Sequence, residues 1–285
     1  MPHPVLRLIR PANVVTSWAD ILAGYAAAGV WDPPRLGLLL LSTTGLYAGG
    51  IVLNDFFDAP LDAKERPERP IPSGAVSRRF AAWLGAGLLA VGVAAGWSCT
   101  YLAGMVSLAT AASVLLYDGV GKHHPIFGPF NMGLCRGLNL VLGMGLQLHP
   151  WQLLIGTVTL CYIAGVTVIS RGEVKGGTRR ASLLSLLWLA GSVLVLSILV
   201  ARHPPGVLWA LPFFVLLVVR IVPAFTRAIR TLNPKFMGLA VRAGVLSLIV
   251  LDSGLAALFG GPWYGVAVLA LYAPATLLSK LFAVT

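Results

Sequence analysis

Five of the ten acidic residues crowd into one stretch of the chain: Asp55, Asp58, Asp62, Glu65 and Glu68. The string runs Asn54-Asp55-Phe56-Phe57-Asp58-Ala59-Pro60-Leu61-Asp62, continues through Arg66-Pro67-Glu68-Arg69-Pro70, and closes at Ser73-Gly74. Asp55, Asp58 and Asp62 are spaced i, i+3, i+7, so on a helix they share one face. Three like charges on one face repel unless a cation sits among them. Hard oxygen ligands suit Mg²⁺ or Mn²⁺, and Mg²⁺ usually binds through a few carboxylates together with substrate phosphates. Proline stiffens the segment that carries Arg66 and Arg69, and the arginine fork matches phosphate oxygens. Carboxylates holding Mg²⁺ beside stiffly held arginines make a diphosphate site. The bland alternative is an amphipathic loop closed by internal ion pairs, which suits Glu65 and Glu68 taken singly. Pro60 is expected to kink a helix between Asp58 and Asp62 and to turn Asp62 off the shared face.

These charges stand out because the rest of the chain has so few. Of 285 residues, 57 % are hydrophobic and 11 % charged, and the mean hydropathy is +0.84. A soluble domain carries about 25 % charged residues, so this chain cannot cover a water-facing surface. Disorder is excluded for the same reason. A spanning helix needs about 20 mostly apolar residues. Ten stretches qualify: 11–30, 36–53, 81–97, 101–117, 131–148, 151–169, 181–201, 207–223, 239–259 and 264–281. They lack the alternation of a membrane barrel, and helices satisfy their own backbone in lipid. The expectation is an all-α, polytopic transmembrane bundle of nine or ten spans, the last two deciding the count, with residues 1–285 as one domain.

The net charge is +11, from 21 Lys and Arg against 10 Asp and Glu. With the N-terminus in the cytoplasm, only Arg35 and Arg202 fall on the far side of the membrane. That bias orients the chain in the cell membrane. The charge excess is therefore topology rather than a nucleic-acid footprint. Asn13 and Asp20 interrupt the first apolar stretch, which reads as a retained helix and not a signal peptide. Cys99, Cys135 and Cys161 show no metal or redox spacing and read as free thiols. Gly133 and Gly137 form a GxxxG pair that implies close helix packing. Arg136, inside a span, is costly against lipid and is expected to face a cavity. Asp20 and Asp252 also lie inside spans, as polar contacts without an obvious partner in sequence.

The string from Asn54 through Gly74 resembles the first signature of the UbiA superfamily of intramembrane prenyltransferases, NDxxDxxxDxxxRPxRPxPSG, with every fixed position met. Arg10-Pro11 with Asn13 looks like that family's entry to its first helix, and Tyr117, Lys122 and Asn131 like its stretch after the fourth. The resemblance implies a helical bundle, usually of nine helices, with cytoplasmic acidic loops after the second and sixth. It implies transfer of an isoprenoid from an allylic diphosphate to an aromatic or lipid acceptor, with one or two Mg²⁺ ions. Asn54, Asp55, Asp58 and Asp62 would hold metal, and Asp55, Asp58 and Tyr117 would be catalytic. Arg66, Arg69, Lys122, Arg171 and Lys175 would hold the diphosphate. Arg10, Asn13, Asn131 and Arg136 would line the acceptor cavity. The ring of Tyr117 could stabilise a nascent carbocation, or serve as an interfacial aromatic. The family's second aspartate motif is absent. Between Ile169 and Arg180 the only acid is Glu173, a remnant flanked by basic residues. That loop, with Tyr117-Asp118-Gly119, resembles the EboC-like branch. It implies an alternative, a non-catalytic or transport-associated protein that binds a prenyl diphosphate or lipid.

Overall fold

A computed structural model of the chain describes residues 3–282. Among these residues twelve α-helices follow one another: α1 (Pro4–Ile9), α2 (Pro11–Ala28), α3 (Pro33–Glu65), α4 (Arg78–Cys99), α5 (Tyr101–Leu116), α6 (Phe127–Gly143), α7 (Leu153–Ser170), α8 (Arg179–Arg202), α9 (Pro204–Thr231), α10 (Pro234–Gly260), α11 (Pro262–Ala270) and α12 (Tyr272–Leu281). No strand occurs among the described residues. Local signals set the starts. Proline opens α1, α2, α3, α9, α10 and α11, where its missing N–H costs nothing. Asp32 and Asn233 also cap α3 and α10, and Ser77, Thr100 and Thr178 cap α4, α5 and α8, by accepting backbone N–H bonds.

Every expected span falls on a helix, the last divided at Leu271 into α11 and α12. Eight are long and apolar enough to cross a membrane unaided, counting α11 with α12 as one. The other two, α2 and α6, are shorter and carry Asp20 and Arg136 on buried positions. They sit inside the bundle, with α2 packed between α6 and α10. The outer helices α8 and α9 show most of their apolar side chains to the surroundings. Lipid gives no hydrophobic drive between helices, so close packing has to hold them together. A Cβ on Gly24 of α2 would stand 2.1 Å from the Leu140 carbonyl oxygen of α6. The GxxxG pair of α6 meets α7 the same way, with a Cβ on Gly133 only 2.3 Å from the Leu160 carbonyl oxygen.

One expectation is corrected here. Pro60 does not turn Asp62 away: α3 runs on through it to Glu65. Asp55 and Asp62, seven residues and two turns apart, reach the same side chain, so Asp62 stays on the shared face.

Candidate active site

The segments that carry the candidate residues meet at one end of the bundle: the start of α2, the last turns of α3, the end of α5 and the loop after α7. Arg10 links α1 to α2 in a left-handed conformation, φ 51°. Its Nη2 donates to Asp55 Oδ1 at 2.6 Å. Arg69 returns from the proline-rich loop, its Nη1 lying 2.7 Å from Asp62 Oδ2 and 3.4 Å from Asp55 Oδ1. Lys122 Nζ stands 2.5 Å from Asp58 Oδ1. Asn54 Nδ2 donates to Asp118 Oδ1 at 2.7 Å. Asp55, Asp62 and Asp118 are all buried. Mutual repulsion along the face is thus relieved by Arg10, Arg69 and Lys122. Among the described residues, no three His, Cys, Asp or Glu side chains form a ready-made metal nest.

Tyr117 begins a single wide turn, Tyr117–Gly121, closed by the Lys122 N–H bonding the Tyr117 carbonyl at 3.0 Å. Such π-turns recur at functional sites. This one brings Asp118 and Lys122 to the acidic face together with Tyr117. Asp118 joins the site although the motif reading had not assigned it a role there. Its signal was an acid ending an apolar span beside Tyr117, next to Gly119.

Other expected residues are placed differently. Arg171 lies near Tyr117 but is spent on the main chain. Its Nη2 donates to the carbonyls of Lys122 and His124 at 2.8 and 2.6 Å, which ties the loop after α7 to the α5–α6 link. Lys175 is exposed and makes no ion pair among the described residues. Arg66 is half-buried and sits near Glu173. Burial pushes the Glu173 carboxyl above the usual range, against the pull of Arg66. Asn131 is spent on α5: its Nδ2 donates to the Ser113 carbonyl at 3.1 Å and its Oδ1 accepts from Ser113 Oγ at 2.6 Å. It is a tie between helices, not an acceptor contact. Asn13 is buried in the first turn of α2. Arg136 neither lines the acidic end nor reaches toward the membrane surface; its Nε meets Asp20 Oδ2 at 2.9 Å in the bundle interior. Cys99, Cys135 and Cys161 are free thiols.

The fold and site define an integral membrane protein whose acids and bases converge at one end of a helical bundle. The UbiA prenyltransferase family model matches residues 13–241, and the chain belongs to that family. It is 35 % identical over 176 residues to a digeranylgeranylglyceryl phosphate synthase of Metallosphaera sedula, a match covering 61 % of this chain and 62 % of the relative. The match thus spans about three fifths of that relative's length. The fold is similar to that of a UbiA homolog from Aeropyrum pernix, with a TM-score of 0.68, 19 % identity, and coverage of 85 % of this chain and 96 % of that one. It is also similar to that of a UbiA homolog from Archaeoglobus fulgidus bound to DMAPP and Mg²⁺, with a TM-score of 0.55, 17 % identity, and coverage of 93 % and 99 %. These findings show the family; they do not show the EboC-like branch.

Proposed function

We propose that the chain is a Mg²⁺-dependent prenyltransferase, integral to the cell membrane with its N-terminus and acidic end in the cytoplasm. It moves an isoprenoid from an allylic diphosphate to an acceptor. The observation that carries this reading is the meeting of Asp55 and Asp58 with Arg10, Arg69 and Lys122 from separate segments. Relatives named digeranylgeranylglyceryl phosphate synthase support it, and so does the homolog holding DMAPP and Mg²⁺. That name favours a lipid over an aromatic acceptor.

The donor chemistry suits a hard cation. Asn54 gives its N–H to Asp118, which leaves its amide oxygen available as a neutral ligand alongside the carboxylates of Asp55 and Asp58. When bound, Mg²⁺ would supply charge stabilisation to the leaving diphosphate. Asp62 is committed to Arg69 and positions that base. Lys122, Arg69 and Arg10 hold diphosphate oxygens, and as preorganised charges they favour the departing anion. Arg66 lies near Arg10 and Glu173 and adds positive charge on that side. The ring of Tyr117 would stabilise the allylic carbon as its cationic character grows, and the packed helices would keep water away. One Mg²⁺ at the first motif suffices in this reading, because the loop after α7 offers only Glu173.

The test is release of pyrophosphate from geranylgeranyl diphosphate by the solubilised full chain. Release is expected to require Mg²⁺ and to vanish in Asp58→Asn. Undiminished release by that variant would remove the basis for the assignment.

A further inference from the structure

Apart from the acidic end, one cluster of ionisable side chains is enclosed in the middle of the bundle. Asp20 of α2 and Asp252 of α10 are both 0 % exposed. Arg136 of α6 meets Asp20 Oδ2 through Nε at 2.9 Å. Its Nη2 donates to Thr16 Oγ1 at 2.9 Å, and its guanidinium lies 4.8 Å above the Tyr47 ring of α3. Asn139 Nδ2 donates to the same Asp20 oxygen at 2.7 Å, while its Oδ1 accepts from Thr43 Oγ1 at 2.6 Å. Oδ2 of Asp20 is therefore well supplied. Oδ1 of Asp20 and both oxygens of Asp252 have no donor among the described residues. Yet the two carboxyls lie within hydrogen-bonding reach of each other.

The neighbouring groups supply no further positive charge. Tyr162 of α7 faces Asp252, but its hydroxyl donates to the Gly244 carbonyl at 2.8 Å. Arg220 of α9, on the Tyr162 side, is engaged with Ser247 at 3.1 Å and lies over the Tyr272 ring of α12. Two carboxylates against one guanidinium would leave a lone negative charge where water is excluded, which is strongly unfavourable. Two ionised carboxylates are also acceptors only and cannot bond each other.

We propose that Asp20 and Asp252 share one proton, which makes this cluster an intramembrane proton-binding site that ties α2 to α10. Asp20 is the ionised partner, because Arg136 and Asn139 already serve it. Asp252 is the protonated partner, and its O–H donates to Asp20 Oδ1. The cluster is then neutral, and the orphaned Asp20 oxygen gains its donor. Asp252 touches none of the residues at the acidic end and acts as a positioning residue. By fixing α2, it steadies the helix whose first residues hold Arg10 against Asp55.

Infrared spectroscopy of the full chain in lipid reads the proton directly. At neutral pH the wild type should show a carboxylic-acid C=O band that shifts in D₂O, and Asp252→Asn should remove that band. Asparagine donates as the proton does, so Asp252→Asn should fold and keep its Tm and its activity. Asp252→Ala should lower Tm by about 5 °C or more, since it leaves Asp20 Oδ1 unserved and opens a void. Asp20→Asn should lower it as well, because Arg136 loses its counter-charge. The proposal is overturned by a band unchanged in Asp252→Asn, or by an asparagine variant that fails to fold or melts as low as the alanine variant.

Discussion

Replacing Asp62 by asparagine separates the two roles its position suggests, metal ligand or clamp for an arginine. Asp62 Oδ2 sits 2.7 Å from Arg69 Nη1, with side chains 7 % and 15 % exposed respectively, so solvent screens the pair little. A hydrogen bond to a charged group contributes about 1.5–3 kcal/mol, and a neutral one roughly half of that. Asparagine keeps an acceptor oxygen but not the charge, so about 1–1.5 kcal/mol of hold on Arg69 is lost. At about 1.4 kcal/mol per factor of ten, that is roughly five- to tenfold in transition-state stabilisation. The 3.4 Å contact from Arg69 to Asp55 survives and keeps the loss from growing further. The assay is pyrophosphate release with varied prenyl diphosphate and varied Mg²⁺. In Asp62→Asn, kcat/KM should fall about five- to tenfold, while the Mg²⁺ half-saturation stays where it was. In an Arg69→Met background the same change should add little, because the clamp has nothing left to hold. Even a residue bonded behind a metal ligand costs about 10–100-fold in metal affinity when removed. A tenfold or larger rise in the Mg²⁺ requirement of Asp62→Asn would therefore refute the clamp and make Asp62 a ligand.

Two further outcomes follow from packing and burial. Gly24→Val should lower Tm and pyrophosphate release together, since its Cβ starts 2.1 Å from the Leu140 carbonyl oxygen and overpacking costs about 1–3 kcal/mol or more; an unchanged Tm would mean α2 and α6 do not approach this closely. Burial holds the Glu173 carboxyl above its ordinary range, so the folded chain keeps a proton there that the unfolded chain has released. Its contribution is then undiminished below the ordinary carboxylate range and declines as pH rises from that range toward the raised value. Glu173→Gln should flatten that decline in a Tm-against-pH series, and an unaltered slope would show that Glu173 ionises freely.

The apolar runs and the proline starts made the helices legible, because both are local. The acidic string was legible for the same reason: its spacing puts Asp55, Asp58 and Asp62 on one face. What balances those acids was not. Three like charges implied an intervening metal, but Arg10 and Lys122 come from distant segments and their reach depends on helix crossings. Asp20 and Arg136, 116 residues apart, had no visible connection until α2 lay against α6. The resemblance gives Arg171 to the diphosphate, yet its partners are main-chain carbonyls, which leave no trace in side-chain identity. A kink at Pro60 is the expectation because the cost of a proline is local; here α3 continues through it, and Arg69 reaches both Asp55 and Asp62.

The pairing of Asp55, Asp58 and Asp62 with Arg10, Arg69 and Lys122 also governs how ligands would arrive in the proposed reaction. A cation taken up alone would draw Asp55 and Asp58 away from Arg10 and Lys122 and leave those two bases stranded, and a diphosphate taken up alone would strand the two acids. Taken up together, the two exchange partners with the protein, and less charge is left unmatched than with either alone. Each ligand therefore raises the affinity for the other by the same factor. The cation and the prenyl donor behave as one composite substrate, and the resting site is electrically closed to either half on its own.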